Sequence, residues 1–227
     1  MRFSSFKFAS LTPFIIFAFT SATPSLQRSF AGCNVSQAVI PIGQSGLTVA
    51  PAGQKPINIA LGVGTQNYTC SASGTFASIG AVATLFDASC IFEVIDDLTI
   101  KTITPLEIAI DILQTALGKS PTILGHHFFI DNPTGAVGVS PTFDFRSNSE
   151  RGNPEAFVVT SKSEDVKSPN NPTHNVDWLQ LIAIPGQGEL ASTIYRILTL
   201  GGQPPASCAP GCAPITVPYA ANYWFFK

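Results

Sequence analysis

Few residues in this chain could carry chemistry, and the histidines come first. There are three, His126, His127 and His174. Leu124-Gly125-His126-His127-Phe128-Phe129 reads as a strand, where neighbours point to opposite faces, so His126 and His127 do not share one metal ion. One of them could line a cleft with Arg196 and a carboxylate such as Asp131, which is the equipment of a hydrolase. The plain alternative puts one imidazole in a hydrogen bond inside the protein and the other in solvent. Arg196 lies in the apolar run Thr193-Ile194-Tyr195-Arg196-Ile197-Leu198 and shares a face with Ile194 and Leu198. A charge on such a face is paired or lines a cleft. Neither a nucleophile-elbow serine motif nor a two-histidine zinc helix occurs in the sequence. Asp96-Asp97 reads as a solvated turn. No metal site is expected.

Ile57 to Leu61 followed by Gly62-Val63-Gly64-Thr65-Gln66-Asn67 imitates the opening of a dinucleotide-binding fold. The imitation fails at Asn67, where a third glycine belongs, and in the residues beyond, which lack a helical stripe. No helix N-terminus is therefore aimed at a pyrophosphate. No nicotinamide or other cofactor is expected, and the glycines read as a turn between two strands.

Five cysteines, Cys33, Cys70, Cys90, Cys208 and Cys212, make an odd number, so at least one thiol is left over within the chain. Cys208-Ala209-Pro210-Gly211-Cys212 has one residue too many for a redox pair and lacks a second ligand pair for zinc. The cysteines are expected to be structural staples. Cys70 is expected in a disulfide with Cys90; long-range bridges from either to Cys208 or Cys33 are the rivals.

The elements that must position these groups are mostly strands. Short runs rich in Val, Ile, Thr, Phe and Tyr recur, separated by Gly or Pro: 57–61, 67–70, 81–86, 91–95, 124–130, 142–145, 156–160, 176–184, 193–200 and 217–226. This spacing predicts a mainly β, single-domain antiparallel sandwich or barrel. One amphipathic helix is predicted near 105–117, from the capping box Thr104-Pro105-Leu106-Glu107 to Gly118. Residues 146–175 hold much of the charge and read as two exposed loops around a short strand.

Arg2 and Lys7, the apolar run 11–19 and Thr20-Ser21-Ala22 have the layout of a secretory signal peptide over 1–22. An extended arm, 23–56, with one short strand near 38–42, then precedes a single β domain, 57–227. The apolar run is too short to span a membrane. In a secreted chain, Asn34-Val35-Ser36 and Asn67-Tyr68-Thr69 are glycosylation candidates at Asn34 and Asn67. The 227 residues are 45% hydrophobic and only 11% charged, with net charge −2. The apolar fraction excludes a disordered chain, and the charge gives no electrostatic footprint for nucleic acid.

Several phrases in order carry a resemblance: Gly62 to Cys70, Gly80 to Asp87, Gly125-His126-His127-Phe128, Val176-Asp177-Trp178-Leu179, Tyr195-Arg196, Thr199 to Pro205, and Val217 to Phe226. Over about residues 50–226 the chain resembles a family of uncharacterised secreted proteins, mostly fungal and some bacterial, whose domain has no known function. Its members are often labelled malate dehydrogenase. The resemblance implies secretion and brings no catalytic residues with it. The leading expectation is a non-enzymatic extracellular or wall-associated protein with carbohydrate as a candidate partner. Trp178, Tyr223, Trp224 and Phe225 are either its stacking platforms or, more simply, core. The alternative is a secreted hydrolase using the His126 or His127, Arg196 and Asp131 cleft.

Overall fold

The computed structural model describes residues 33–92 and 122–227. Eight strands follow one another: β1 (Pro56–Cys70), β2 (Phe76–Asp87), β3 (Ile123–Asp131), β4 (Val139–Asp144), β5 (Phe157–Val166), β6 (Trp178–Ala183), β7 (Thr193–Gly201) and β8 (Ile215–Phe226). Each pairs antiparallel with the next, and β8 returns to pair with β1, so the sheet closes into an up-and-down barrel. Closure leaves no strand edge to template aggregation. The mainly β, antiparallel expectation is thus met by a barrel. The segments proposed as signal peptide (1–22) and helix (105–117) lie outside the described residues, as does most of the run 91–95.

Alternation along the strands sorts side chains into two layers. Inside the barrel lie Ala60, Ala81, Ala83, Leu85, Phe143, Phe145, Val158, Leu181, Ile194, Tyr219, Tyr223 and Phe225. Eight strands enclose a space that side chains can fill, and aromatic rings fill this one. Phe143 meets Tyr223 and Phe225 edge-on, each with centroids 5.5 Å apart.

A second core lies outside the barrel. Ile59, Leu61 and Val63 of β1, Tyr195 and Ile197 of β7, and Ala220, Trp224 and Phe226 of β8 cluster with Val35, Ile42 and Leu47 of the arm. Ala88 and Ile91, just after β2, complete the layer. Strands covered on both faces read as near-continuous apolar runs, which is why Tyr219 to Phe226 is buried at every position. The disulfide Cys33–Cys90 fastens this cover to the segment that follows β2. A second, Cys70–Cys208, ties the end of β1 to the β7–β8 connection.

Four expectations need correction. Cys70 is disulfide-bonded, but to Cys208 and not to Cys90. The cause is closure, since β8 lies beside β1 and brings the connection that precedes it to the end of β1. The proposed strands 57–61 and 67–70 are one fifteen-residue strand, and Gly62 and Gly64 lie in its middle, not in a turn. The expected strand at 38–42 is irregular chain between turns at 36–37 and 43–44, with Ala38 N–H donating to Val35 C=O and Ile42 N–H to Ile40 C=O. The polar stretch after Thr160 continues β5 to Val166, with a bulge between Lys162 and Glu164.

Candidate functional site

Gly62 and Gly64 explain how the barrel admits its central rings. A Cβ on Gly62 would lie 2.5 Å from Cε2 of Tyr223, and one on Gly64 would lie 1.8 Å from the Val82 carbonyl oxygen. These glycines make room for a phenol ring and for close strand approach. The run from Gly62 to Asn67 is therefore the middle of a barrel strand and not a phosphate cradle.

His127 and Arg196 both enter the barrel interior. β3 turns His127 inward, where it is 3% exposed. Its ring stacks on Phe143 at 4.4 Å between centroids and lies 5.6 Å from that of Tyr223. Nδ1 is 2.9 Å from the Thr142 carbonyl oxygen, which can only accept, so Nδ1 carries the proton. Burial lowers the imidazole's pKa from 6.5 to about 4, helped by the nearby Arg196 charge and opposed by the Thr142 hydrogen bond. His127 is thus neutral at neutral pH.

Arg196, on β7, is 8% exposed and stands opposite Tyr223 of β8. Its Nε and Nη2 donate to the Asp177 carbonyl oxygen at 3.1 and 2.8 Å. Among the described residues it forms no ion pair; the ion pairs there are Arg146–Asp144, Lys162–Asp165 and Lys167–Asp177. Phenols surround it instead. The Tyr219 and Tyr223 hydroxyls are 2.8 Å apart, and the Tyr68 hydroxyl donates to the Gly202 carbonyl oxygen at 2.7 Å. Burial raises Tyr68 to about 12, and raises Tyr223 and, more strongly, Tyr219; the guanidinium opposes each shift. The guanidinium is thus held by a backbone carbonyl oxygen rather than by a carboxylate.

The other proposed cleft residues lie elsewhere. His126 is exposed on the outer face, paired in register with Asp144. Asp144 is held by Arg146 at 2.7 Å, and that hydrogen bond is the main reason its carboxyl pKa is lowered. Asp131 is exposed at the end of β3. His174 is exposed in the β6 approach. The structure therefore gathers His127 and Arg196 but leaves His126, His174 and Asp131 outside. Sequence reasoning missed the phenols, although Tyr219, Ala221, Tyr223 and Phe225 recur with the strand period of two. Trp178, Tyr223, Trp224 and Phe225 are all buried, so none is a sugar-stacking platform.

A groove lies where the arm meets the barrel, lined by Pro41, Ile42, Gln44 and Ser45 on one side and Lys167, Pro169 and Trp178 on the other. Lys167 Nζ is 2.9 Å from the Asp177 carboxylate, which raises the lysine's pKa. The remaining side-chain polar groups of the lining are the Gln44 amide, the Ser45 hydroxyl and the Trp178 indole N–H, which has no hydrogen-bond partner among the described residues. Among the described residues, the cluster with metal-ligand spacing is Cys70, Cys208 and Cys212. Two of its sulfurs are joined in a disulfide, and metal ligation requires thiolates.

No helix among the described residues is long and apolar enough to cross a membrane. No curated protein and no solved structure matches the chain significantly. The family DUF3455, described as a protein of unknown function, matches residues 51–227, from just before β1 to the end of the chain. That span takes in the whole barrel, with its central glycines, its His127–Arg196–tyrosine interior and its Cys70–Cys208 staple, and the chain belongs to this family.

Proposed function

We propose that this is a secreted, non-enzymatic binding protein of the extracellular space or cell wall, and that it meets its partner with the outer groove rather than the barrel interior. One observation carries the reading. The groups that would equip a hydrolase cleft are enclosed in the barrel interior, where His127 is 3% and Arg196 8% exposed and each is anchored to a backbone carbonyl, that of Thr142 and that of Asp177. A general base must reach its substrate's proton, and His127 is packed between rings. Two disulfides accord with an oxidising compartment. Of the two glycosylation candidates, exposed Asn34 has the better access, because Asn67 lies within β1.

The groove favours an uncharged polar partner, for which carbohydrate is the candidate class. Apolar Pro41 and Pro169 offer a surface for a ring face, and Gln44, Ser45 and Lys167 offer hydrogen-bonding edges. Co-sedimentation of the secreted protein with insoluble wall polysaccharides tests this. The expected result is saturable retention, reduced at least about fivefold in the double variant Gln44→Ala/Lys167→Ala, in line with the loss of two hydrogen-bonding groups. Retention unchanged in that variant would remove the groove from the reading. No retention on any polysaccharide would remove the carbohydrate.

A further inference from the structure

Three sulfur atoms meet at one end of the barrel. Cys70 and Cys208 are joined, and the Sγ atoms of Cys70, Cys208 and Cys212 all lie within 4.8 Å of one another. Cys212 is a free, exposed cysteine. Its position is built by the backbone. Ala209-Pro210-Gly211-Cys212 is a tight turn, with Gly211 at φ 84° and the Cys212 N–H donating to the Ala209 carbonyl oxygen at 2.9 Å. Proline followed by a left-handed glycine is the chemistry of a type II turn. The turn folds the chain back so that Cys212 returns to the disulfide. Cys208 is held independently, since its N–H donates to the Gly74 carbonyl oxygen at 2.9 Å.

We propose that Cys70, Cys208 and Cys212 form a thiol–disulfide exchange site, in which Cys212 is the attacking group and the Cys70–Cys208 bond its substrate. The Cys212 thiolate attacks one sulfur of the bond. Attack at Cys70 forms Cys70–Cys212 and releases the Cys208 thiolate. Attack at Cys208 forms Cys208–Cys212 and releases the Cys70 thiolate. In either case one S–S bond breaks and one forms, and a proton moves from Cys212 to the released thiolate. The thiol count stays at one, and no outside oxidant or reductant takes part. The first product keeps the β7–β8 connection bound to β1 at a point four residues further on. The second unfastens it, so the exchange governs how that connection sits over the end of the barrel where Tyr68 bonds to Gly202.

Peptide mapping of the full secreted protein tests the site. Samples are held at mildly alkaline pH, quenched in acid, alkylated with N-ethylmaleimide and digested without reduction. The thiolate is the attacking species and uncatalysed rearrangement takes minutes to hours. The expected label therefore spreads over hours from the Cys212 peptide to the Cys70 or the Cys208 peptide, faster at higher pH, and the labelled peptide tells which sulfur is attacked. In Cys212→Ser that second label is expected to fall at least about tenfold, to background, because the thiolate that starts the exchange is gone. The Cys33 and Cys90 peptides stay unlabelled throughout. Label confined to Cys212 at every pH and time would overturn the proposal, as would second-site label that persists in Cys212→Ser. A further variant, Cys70→Ser, leaves Cys208 and Cys212 to each other. Oxidation with a glutathione couple is then expected to join them with a loss of two hydrogens, and two free thiols per folded chain would speak against the geometry.

Discussion

At the scale of single residues, the interior of the barrel couples packing to pH. His127 is held neutral by burial, with its pKa lowered from 6.5 to about 4. An unfolded chain takes up this proton as the pH falls through 6.5, and the folded chain resists until about 4. The stability due to this group is therefore complete above pH 6.5, is lost progressively as the pH falls from 6.5 to the folded value of about 4, and changes no further below it. The shift corresponds to about 3 kcal/mol at most. Urea unfolding midpoints at pH 7 and pH 4.5 should fall more steeply in the wild type than in His127→Gln, whose side chain has no proton to gain. Equal slopes would mean that His127 does not carry this dependence. Gly62 makes the complementary steric case. Its missing Cβ is the space occupied by the Tyr223 ring, 2.5 Å away, and that ring is fully buried. Gly62→Ala forces the ring or the strand to move and is expected to cost about 1–3 kcal/mol. A thermal melt reads this as a lowered Tm, and an unchanged Tm would show that the ring has room to retreat.

At the scale of elements, legibility depended on how many faces each strand buries. β7 and β8 carry dense apolar runs, so their existence and approximate bounds could be read directly from the sequence. β1 reads as two strands in the sequence because Gly62 and Gly64 resemble a turn when the ring that needs their space is far away in sequence. β5 reads as ending early because Lys162, Glu164 and Asp165 are charged, yet the strand runs on past the packed interior to a stretch where Ser161, Lys162 and Ser163 are all exposed and Lys162 pairs with Asp165. The candidate site suffered in the same way. Alternation correctly separated His126 from His127, and placed Arg196 on the face of Ile194. It could not show that Phe143 and Tyr223 pack beside His127, because those contacts are made across strands. The arm was the element least visible in the sequence. Val35, Ile42 and Leu47 have no period, yet they cover Trp224 and Tyr195 and are tied down through Cys33. Replacing Cys33 and Cys90 together with serine removes a cross-link of sequence separation 57. In the chain-entropy account this costs about 4 kcal/mol. The expected signature is a lower urea midpoint together with proteolytic nicking within residues 33–55 before the barrel is cut. A midpoint equal to that of the wild type would show that apolar contacts alone hold the arm.

At the scale of the whole molecule, closure turns distant sequence into neighbours. The strand order follows the chain from β1 to β8, so most contacts are made with the next strand, and one long-range pairing, β8 with β1, seals the sheet. Both disulfides reinforce places where the chain order is skipped: Cys33–Cys90 binds the arm to the end of β2, and Cys70–Cys208 binds β1 to the connection before β8. This arrangement accounts for four of five cysteines and leaves Cys212 over. It also gives a direct test of the secreted reading, since such bonds persist in an oxidising compartment and are rare in a reducing one. Material recovered from the medium of an expressing host should begin near Thr23. When denatured without reduction and treated with iodoacetamide, it should take up one alkyl group, against five after reduction. Exchange among Cys70, Cys208 and Cys212 changes which residue is alkylated but not the count. Five alkyl groups without reduction, on a chain that retains Met1, would place the native protein in a reducing compartment and overturn the secreted reading.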